Sequence, residues 1–296
     1  MNSLWRVTIT TVVGVAMFGL PLANGGIAQA ATSPDCIISL SASATETLFA
    51  LGVGRTLKAV DSTANFPRRG LPSKRIDAFN PSLEAILTTC PAKPTLVVIS
   101  YDANQIKEKL RAQGVTVLFQ PAPANLTRAY QQITSLGKFV HRVRQARSLV
   151  QKMQRAITKA IGSVPSRAKS ERVYYELDPT FYSVTSASFV GSILALMHVK
   201  NIADDKGVEN AGGYPQLSAE YIASANPTIV FLADTICCKA SFTTVSKRVA
   251  FHSVYAVRTH QVFGLNDDIA SRWGPRSINL VRVLASDINR SLRSHR

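Results

Sequence analysis

Histidine, the residue that most often holds a metal, is scarce in this chain. Its five histidines, His141, His198, His252, His260 and His295, are scattered, with no two at the spacing of a ligand pair. Direct metal binding is therefore not expected. No Gly-x-Ser-x-Gly segment occurs, which argues against a hydrolase built around a nucleophile elbow, and no catalytic residue is nominated. Acidic residues are also few: 18 Asp and Glu stand against 34 Lys and Arg, a formal charge of +16. Such a balance usually points to nucleic acid, but no recognisable binding motif accompanies it. Much of the charge falls in one stretch, Arg142–Arg172. Solvation, or attraction to an anionic envelope, explains it better, and nucleic acid is not an expected partner.

Long apolar runs are almost absent. The one near the N-terminus, Val7–Leu22, follows Arg6, contains Pro21 and is short for a membrane span. With Ala28-Gln29-Ala30 behind it, it reads as a secretory signal over residues 1–30, cut after Ala30. An uncleaved anchor is the alternative. Cysteine is limited to four, and outside the cytosol disulfides persist. Cys36 precedes the strand-like Ile37–Leu40 and Cys90 precedes Leu96–Ile99. If those strands are parallel neighbours, both thiols sit at one sheet edge and can pair. Cys237 and Cys238 are adjacent, so a bond between them closes a strained ring; a vicinal disulfide and free thiols are both open.

What is present is an alternation. The 296 residues, 46% hydrophobic and 18% charged, suit a globular chain with room for two domains. Strand-like Ile37–Leu40 leads into Ser43-Ala44-Thr45-Glu46, a capping-box pattern, and a helix that stops at Gly52. Strand and helix then alternate through Val115–Phe119. Between residues 126 and 164 the alternation ceases. Val143, Ala146, Val150, Met153, Ile157 and Ile161 recur at helical steps, with Arg and Lys elsewhere, which predicts one amphipathic helix of some 23 residues, roughly 35 Å long. After Pro165 the alternation resumes, from Arg172–Glu176 to a closing helix over Arg276–Leu292. The expected fold is α/β: two Rossmann-like lobes with parallel sheets (residues 36–125 and 171–296), joined by a single long α-helix.

One phrase occurs in each lobe. "NPSLEAILTTCPAKPTLVVIS" begins at Asn80 and "PQLSAEYIASANPTIVFLAD" at Pro215. Each passes from a proline through a glutamate and an apolar helical stretch to Pro-Thr and four apolar residues. Together with the opening "IISLSASATETLFALGVG" and the long helix, the phrase resembles the substrate-binding proteins of ABC importers for ferric siderophores, haem and vitamin B12. The resemblance spans nearly the whole exported chain. It implies a monomeric, periplasmic or envelope-associated receptor that holds its ligand between two lobes with limited hinge motion. It also implies that Glu84 and Glu220, the matched glutamates, dock onto arginine pockets of an ABC permease dimer, since arginine grips carboxylate in bidentate fashion.

Ligands of parallel sheets collect beyond the carboxyl ends of the strands. That rule nominates Ser43, Asp61, Asn65, Phe66, Phe79 and Tyr101-Asp102 in the first lobe. In the second it nominates Tyr182, Tyr214 and the loop "NDDIASRWGPR", with Asp267, Asp268, Arg272, Trp273 and Arg276. The expected ligand-binding set is Asp61, Phe79, Tyr101, Tyr182, Tyr214, Arg272, Trp273 and Arg276. Arg276 opens a helix, where a cation is unfavourable unless an anion is near. Arginines with aromatic rings suit an anionic iron chelate, so a ferric siderophore is the expected cargo, with no resident cofactor. Vitamin B12 is largely neutral and needs the arginines less. Some haem-binding relatives place a tyrosine ahead of the docking glutamate, where this chain has Asp77. Vitamin B12, haem, and an envelope sensory or adhesion module on the same fold are the alternatives.

Overall fold

Four-residue apolar runs such as IISL, LVVI and IVFL are buried at every position, as strands covered by helices on both faces must be. The structure is a computed structural model and describes residues 34–205 and 212–294; the secretory-signal reading lies outside these residues. In chain order the regular elements are β1 (Ile37–Leu40), α1 (Ala42–Ala50), β2 (Leu57–Asp61), β3 (Arg75–Ile76), α2 (Leu83–Leu87), β4 (Leu96–Ile99), α3 (Ile106–Ala112), β5 (Val117–Phe119), α4 (Leu126–Phe139) and α5 (Val143–Ile161). They continue with β6 (Arg172–Glu176), α6 (Phe189–Leu196), β7 (Lys200–Asn201), α7 (Ala219–Ala225), β8 (Ile229–Leu232), α8 (Phe242–Ser246), α9 (Tyr255–Arg258), β9 (Val262–Gly264), α10 (Asp267–Ala270) and α11 (Ser277–Ser294).

The strands form two parallel sheets, ordered β3-β2-β1-β4-β5 and β7-β6-β8-β9. The chain passes from one to the other through α4 and α5, so the α/β class read from the sequence holds. The long helix α5 has 19 residues, about 28 Å, shorter than expected. Of its expected apolar stripe, Ala146, Met153 and Ile157 are buried and Val150 and Ile161 half-buried, on the side that meets α4 and α11, while Val143 at its start is exposed.

The sheets share a core. One apolar cluster contains Ile37 and Leu96 of the first sheet, Val173 and Phe231 of the second, and the inner faces of α4, α5 and α11. The outer faces close over smaller clusters, around Ile38, Val97 and Ile86 in one case and Tyr174, Val230 and Ile222 in the other. A core continuous across both sheets opposes large relative motion, because interiors are close-packed.

The repeated phrase is repeated in structure. Ser82 and Ser218 cap α2 and α7 by accepting the Ala85 and Tyr221 N–H groups, which satisfies donors left free in a first helical turn. Glu84 and Glu220 are each the second residue of their helix and exposed, and Ile86 and Ile222 are fully buried. The Pro-Thr step then performs one task twice. Thr95 Oγ1 accepts the Cys36 N–H (3.2 Å) and donates to the Cys36 carbonyl (2.9 Å). Thr228 Oγ1 accepts the Arg172 N–H (2.9 Å) and shares its one proton between Glu171 (2.6 Å) and the Arg172 carbonyl (3.2 Å). In each sheet a threonine clips a central strand to its neighbour.

Cys36 and Cys90 form a disulfide, the pairing that parallel β1 and β4 allow. Cys237 and Cys238 are free and exposed; the vicinal disulfide considered from the sequence is not formed. Their loop is held instead by its backbone. The Cys237 N–H bonds Asp267 at 2.8 Å and the Cys238 N–H bonds the Asp234 carbonyl at 3.2 Å. Loss of water at the thiol, with Cys238 and Asp267 alongside, pushes the Cys237 thiol up to about 12. It therefore carries little of the thiolate that oxidation requires.

Candidate functional site

A cleft of about 370 Å³ opens at the carboxyl ends of the strands, where ligands of such sheets collect. One wall carries Ser41, Ser43, Asp61, Phe79, Ser100 and Tyr101; the other is the segment from Asp267 to Trp273. Phe79 and Tyr101 are 70% and 57% exposed, and their rings lie side by side with centroids 5.8 Å apart. Two large aromatic faces bared to solvent within one cleft are an unsatisfied apolar surface. Asp61 ends β2 and is buried; its carboxylate accepts from the Ser62 hydroxyl at 3.4 Å and from the Thr63 hydroxyl. Asp102 turns away to the Lys107 N–H (2.9 Å) and ammonium (3.3 Å), and the backbone bond holds its carboxyl below the usual range.

The two arginines do something the sequence does not disclose. Arg272 is 6% exposed. One end of its guanidinium donates to Glu46 Oε1 (3.0 Å) and Asn65 Oδ1 (2.8 Å), the other to the Thr63 carbonyl (2.8 Å) and Asp268 Oδ1 (2.8 Å). Arg276 donates to the same Glu46 oxygen at 2.6 Å and lies 4.4 Å above the Phe66 ring. The anion anticipated beside Arg276 is thus Glu46, 230 residues away in sequence. The joint is reinforced on both sides. Asn65 donates to Asp268 at 2.6 Å, and the Trp273 N–H donates to Ser43 Oγ at 3.2 Å. A Cβ on Gly274 would stand 2.9 Å from the Ser43 carbonyl, so only glycine fits there.

The capping box expected at Ser43 and Glu46 is not formed. Ser41 caps α1 by accepting the Ala44 N–H, which leaves Ser43 for Trp273 and turns Glu46 inward. Glu46 is thus the residue that motif reading missed. A signal was available: it is the one charge in an otherwise uncharged helix, with no basic residue within a turn. A buried carboxylate needs a partner from elsewhere.

Trp273 lines the cleft, half-buried. Tyr182 and Tyr214 lie on strand-end loops of the second sheet, 40% and 37% exposed, but neither is among the described residues that line the cleft. Burial raises the Tyr214 hydroxyl above its ordinary range. Asp267 accepts the N–H groups of Ile236 (2.9 Å) and Cys237 (2.8 Å). Burial raises its carboxyl, but these bonds outweigh it and hold the group below the ordinary range. Below that loop Asp234 is fully buried, with no hydrogen bond to either carboxylate oxygen among the described residues. Burial, then the Glu176 charge, raises it to about 6. Among the described residues no group of three His, Cys, Asp or Glu is placed to hold a metal, and no helix is long and apolar enough to cross a membrane.

Comparisons with known proteins agree with this architecture. The chain is 28% identical over 264 residues to an uncharacterized ABC transporter substrate-binding lipoprotein of Bacillus subtilis, across 86% of this chain and 80% of that one. It is 26% identical to the vitamin B12-binding protein of Vibrio cholerae, across 84% and 87%. A crystal structure of a possible iron-binding periplasmic solute-binding protein from Staphylococcus epidermidis superposes with a TM-score of 0.74 at 26% identity, covering 87% of this chain and 99% of that one. The pattern of the periplasmic binding protein family matches residues 37–269. By that match the chain belongs to the periplasmic binding protein family and is a solute-binding protein, not an enzyme.

Proposed function

We propose that this chain is the receptor component of an ABC importer and that its cleft takes a large, uncharged metal chelate of the cobalamin type. The observation that carries the ligand class is the saturation of Arg272 by Glu46, Asn65, Thr63 and Asp268. A guanidinium whose two terminal amino groups are bonded inside the protein keeps only its Nε–H, so it has little to offer an anionic cargo. What the cleft offers is aromatic faces, the Ser41, Ser43, Ser100 and Ser271 hydroxyls, and the Asp61 and Asp268 carboxylates. Rings stack on a macrocycle, and acceptors suit the amide N–H groups around a corrin. The vitamin B12-binding relative supports the same reading.

A ferric siderophore is the second reading, and the possible iron-binding neighbour favours it. The paired arginines weigh against an anionic catecholate or citrate complex but not against a neutral ferric hydroxamate. Calorimetric titration of the protein with cyanocobalamin, haemin, a ferric hydroxamate, a ferric catecholate and ferric citrate tests both. The proposal expects saturable binding of cyanocobalamin and none of the anionic chelates. Saturable binding of the catecholate or citrate complex, with silence from cobalamin, overturns it. Glu84 and Glu220, exposed at equivalent positions of α2 and α7, are the proposed contacts with a permease dimer, made by a monomeric receptor.

A further inference from the structure

Between Glu108 and Glu171 the chain has no acidic residue and twelve Lys and Arg. Five of these, Arg144, Arg147, Lys152, Arg155 and Lys159, are exposed along α5, opposite its buried stripe. At 100° per residue they fall within an arc of about 140°. None has an ion-pair partner among the described residues. The result is a straight rod of unpaired cations about 28 Å long. A second feature lies at one end of it. The corner between α4 and α5 bares Phe139 and Val143, 40% and 42% exposed, among Lys138, His141, Arg142 and Arg144.

We propose that this face is a docking surface for an anionic phospholipid bilayer, with α5 lying along the headgroups and Phe139 and Val143 entering between them. The partner is inferred from shape and chemistry together. A convex rod of cations matches an extended anionic plane better than a point ligand, and each cation near such a surface strengthens binding about fivefold. Exposed apolar side chains ringed by cations are the pattern of peripheral attachment at the headgroup boundary. A soluble polyanion would have no use for them. The surface is separate from the cleft lining and independent of the cargo.

The test is flotation of the full chain with vesicles of pure phosphatidylcholine and of phosphatidylcholine mixed with phosphatidylglycerol. The difference between the two removes any contribution of the N-terminal apolar segment. The wild-type chain is expected to partition at least about tenfold more strongly onto the anionic vesicles, and less at high salt. The triple variant Arg144→Glu, Arg147→Glu, Arg155→Glu is expected to lose that increment, with its circular dichroism and melting unchanged. The pair Phe139→Ser, Val143→Ser is expected to lower the increment several-fold while leaving retention on heparin intact. Equal partition onto both vesicles, an increment that survives charge reversal, or one untouched by the Phe139 and Val143 changes overturns the proposal.

Discussion

Glu46 sits at the meeting of two arginines from the distant end of the chain, and its surroundings fix what its loss must do. Its carboxylate is 1% exposed and holds Arg272 and Arg276 together. Breaking one side of a buried ion pair leaves charge stranded in a poorly solvated site, at a cost of about 3–5 kcal/mol. Glu46→Ala is expected to lose stability of that order in urea unfolding. Glu46→Gln, which keeps an acceptor oxygen, should lose less; equal stability of both variants with wild type would remove Glu46 from the joint. Asp234 makes the opposite prediction. Its carboxyl is raised from 3.8 to about 6 in the fold, so the native state holds a proton that the unfolded state releases. The stability this gives is complete below about pH 4 and lost as pH rises to about 6. The neutral isostere Asp234→Asn is therefore expected to exceed wild type by about 3 kcal/mol at pH 7 and to match it near pH 3.5 in denaturant melts. A difference that does not change with pH would contradict the assignment.

At the scale of elements, the strands and long helices were legible because their signals are local. Apolar runs bounded by turns, and the stripe of Ala146, Met153 and Ile157, need no knowledge of partners. The repeat was legible for the same reason, and the structure adds its cause in the matched serine caps and threonine clips. The start of α1 was misread because Ser41 and Ser43 both offer a cap, and only the approach of Trp273 decides between them. The short helices α2 and α7 carry the functional prediction of this scale. Each presents its glutamate in the first turn, where a negative charge is favoured, so replacement by Gln should disturb the fold little. Glu84→Gln with Glu220→Gln is expected to abolish cargo uptake into permease-bearing vesicles while leaving the cargo affinity unchanged. Uptake at the wild-type rate would show that docking uses other residues.

At the largest scale, the two sheets are held together by a core that both share, with the joint around Glu46 closing it at the cleft. The two sheets should thus unfold in one cooperative transition, with fluorescence and circular dichroism coincident. Two separated transitions would mean that the shared core contributes little. The need of Arg276 for an anion and the lone charge of α1 were readable from the sequence, but their pairing was not. Arg272 and Glu46 stand 226 positions apart, and no pattern within either segment names the other. The arginines were sensible candidates for meeting an anion; the anion proved to be internal. The proposed ligand class rests on that exchange, and salt tests it. A cleft whose cations are already paired should bind cyanocobalamin by rings and hydrogen bonds, with an affinity constant within about twofold from about 20 to 500 mM sodium chloride. The calorimetric affinity across that range is the measurement to make: a flat profile is the result predicted here, and a tenfold or greater weakening, or no cobalamin binding beside saturable uptake of an anionic ferric chelate, would contradict it.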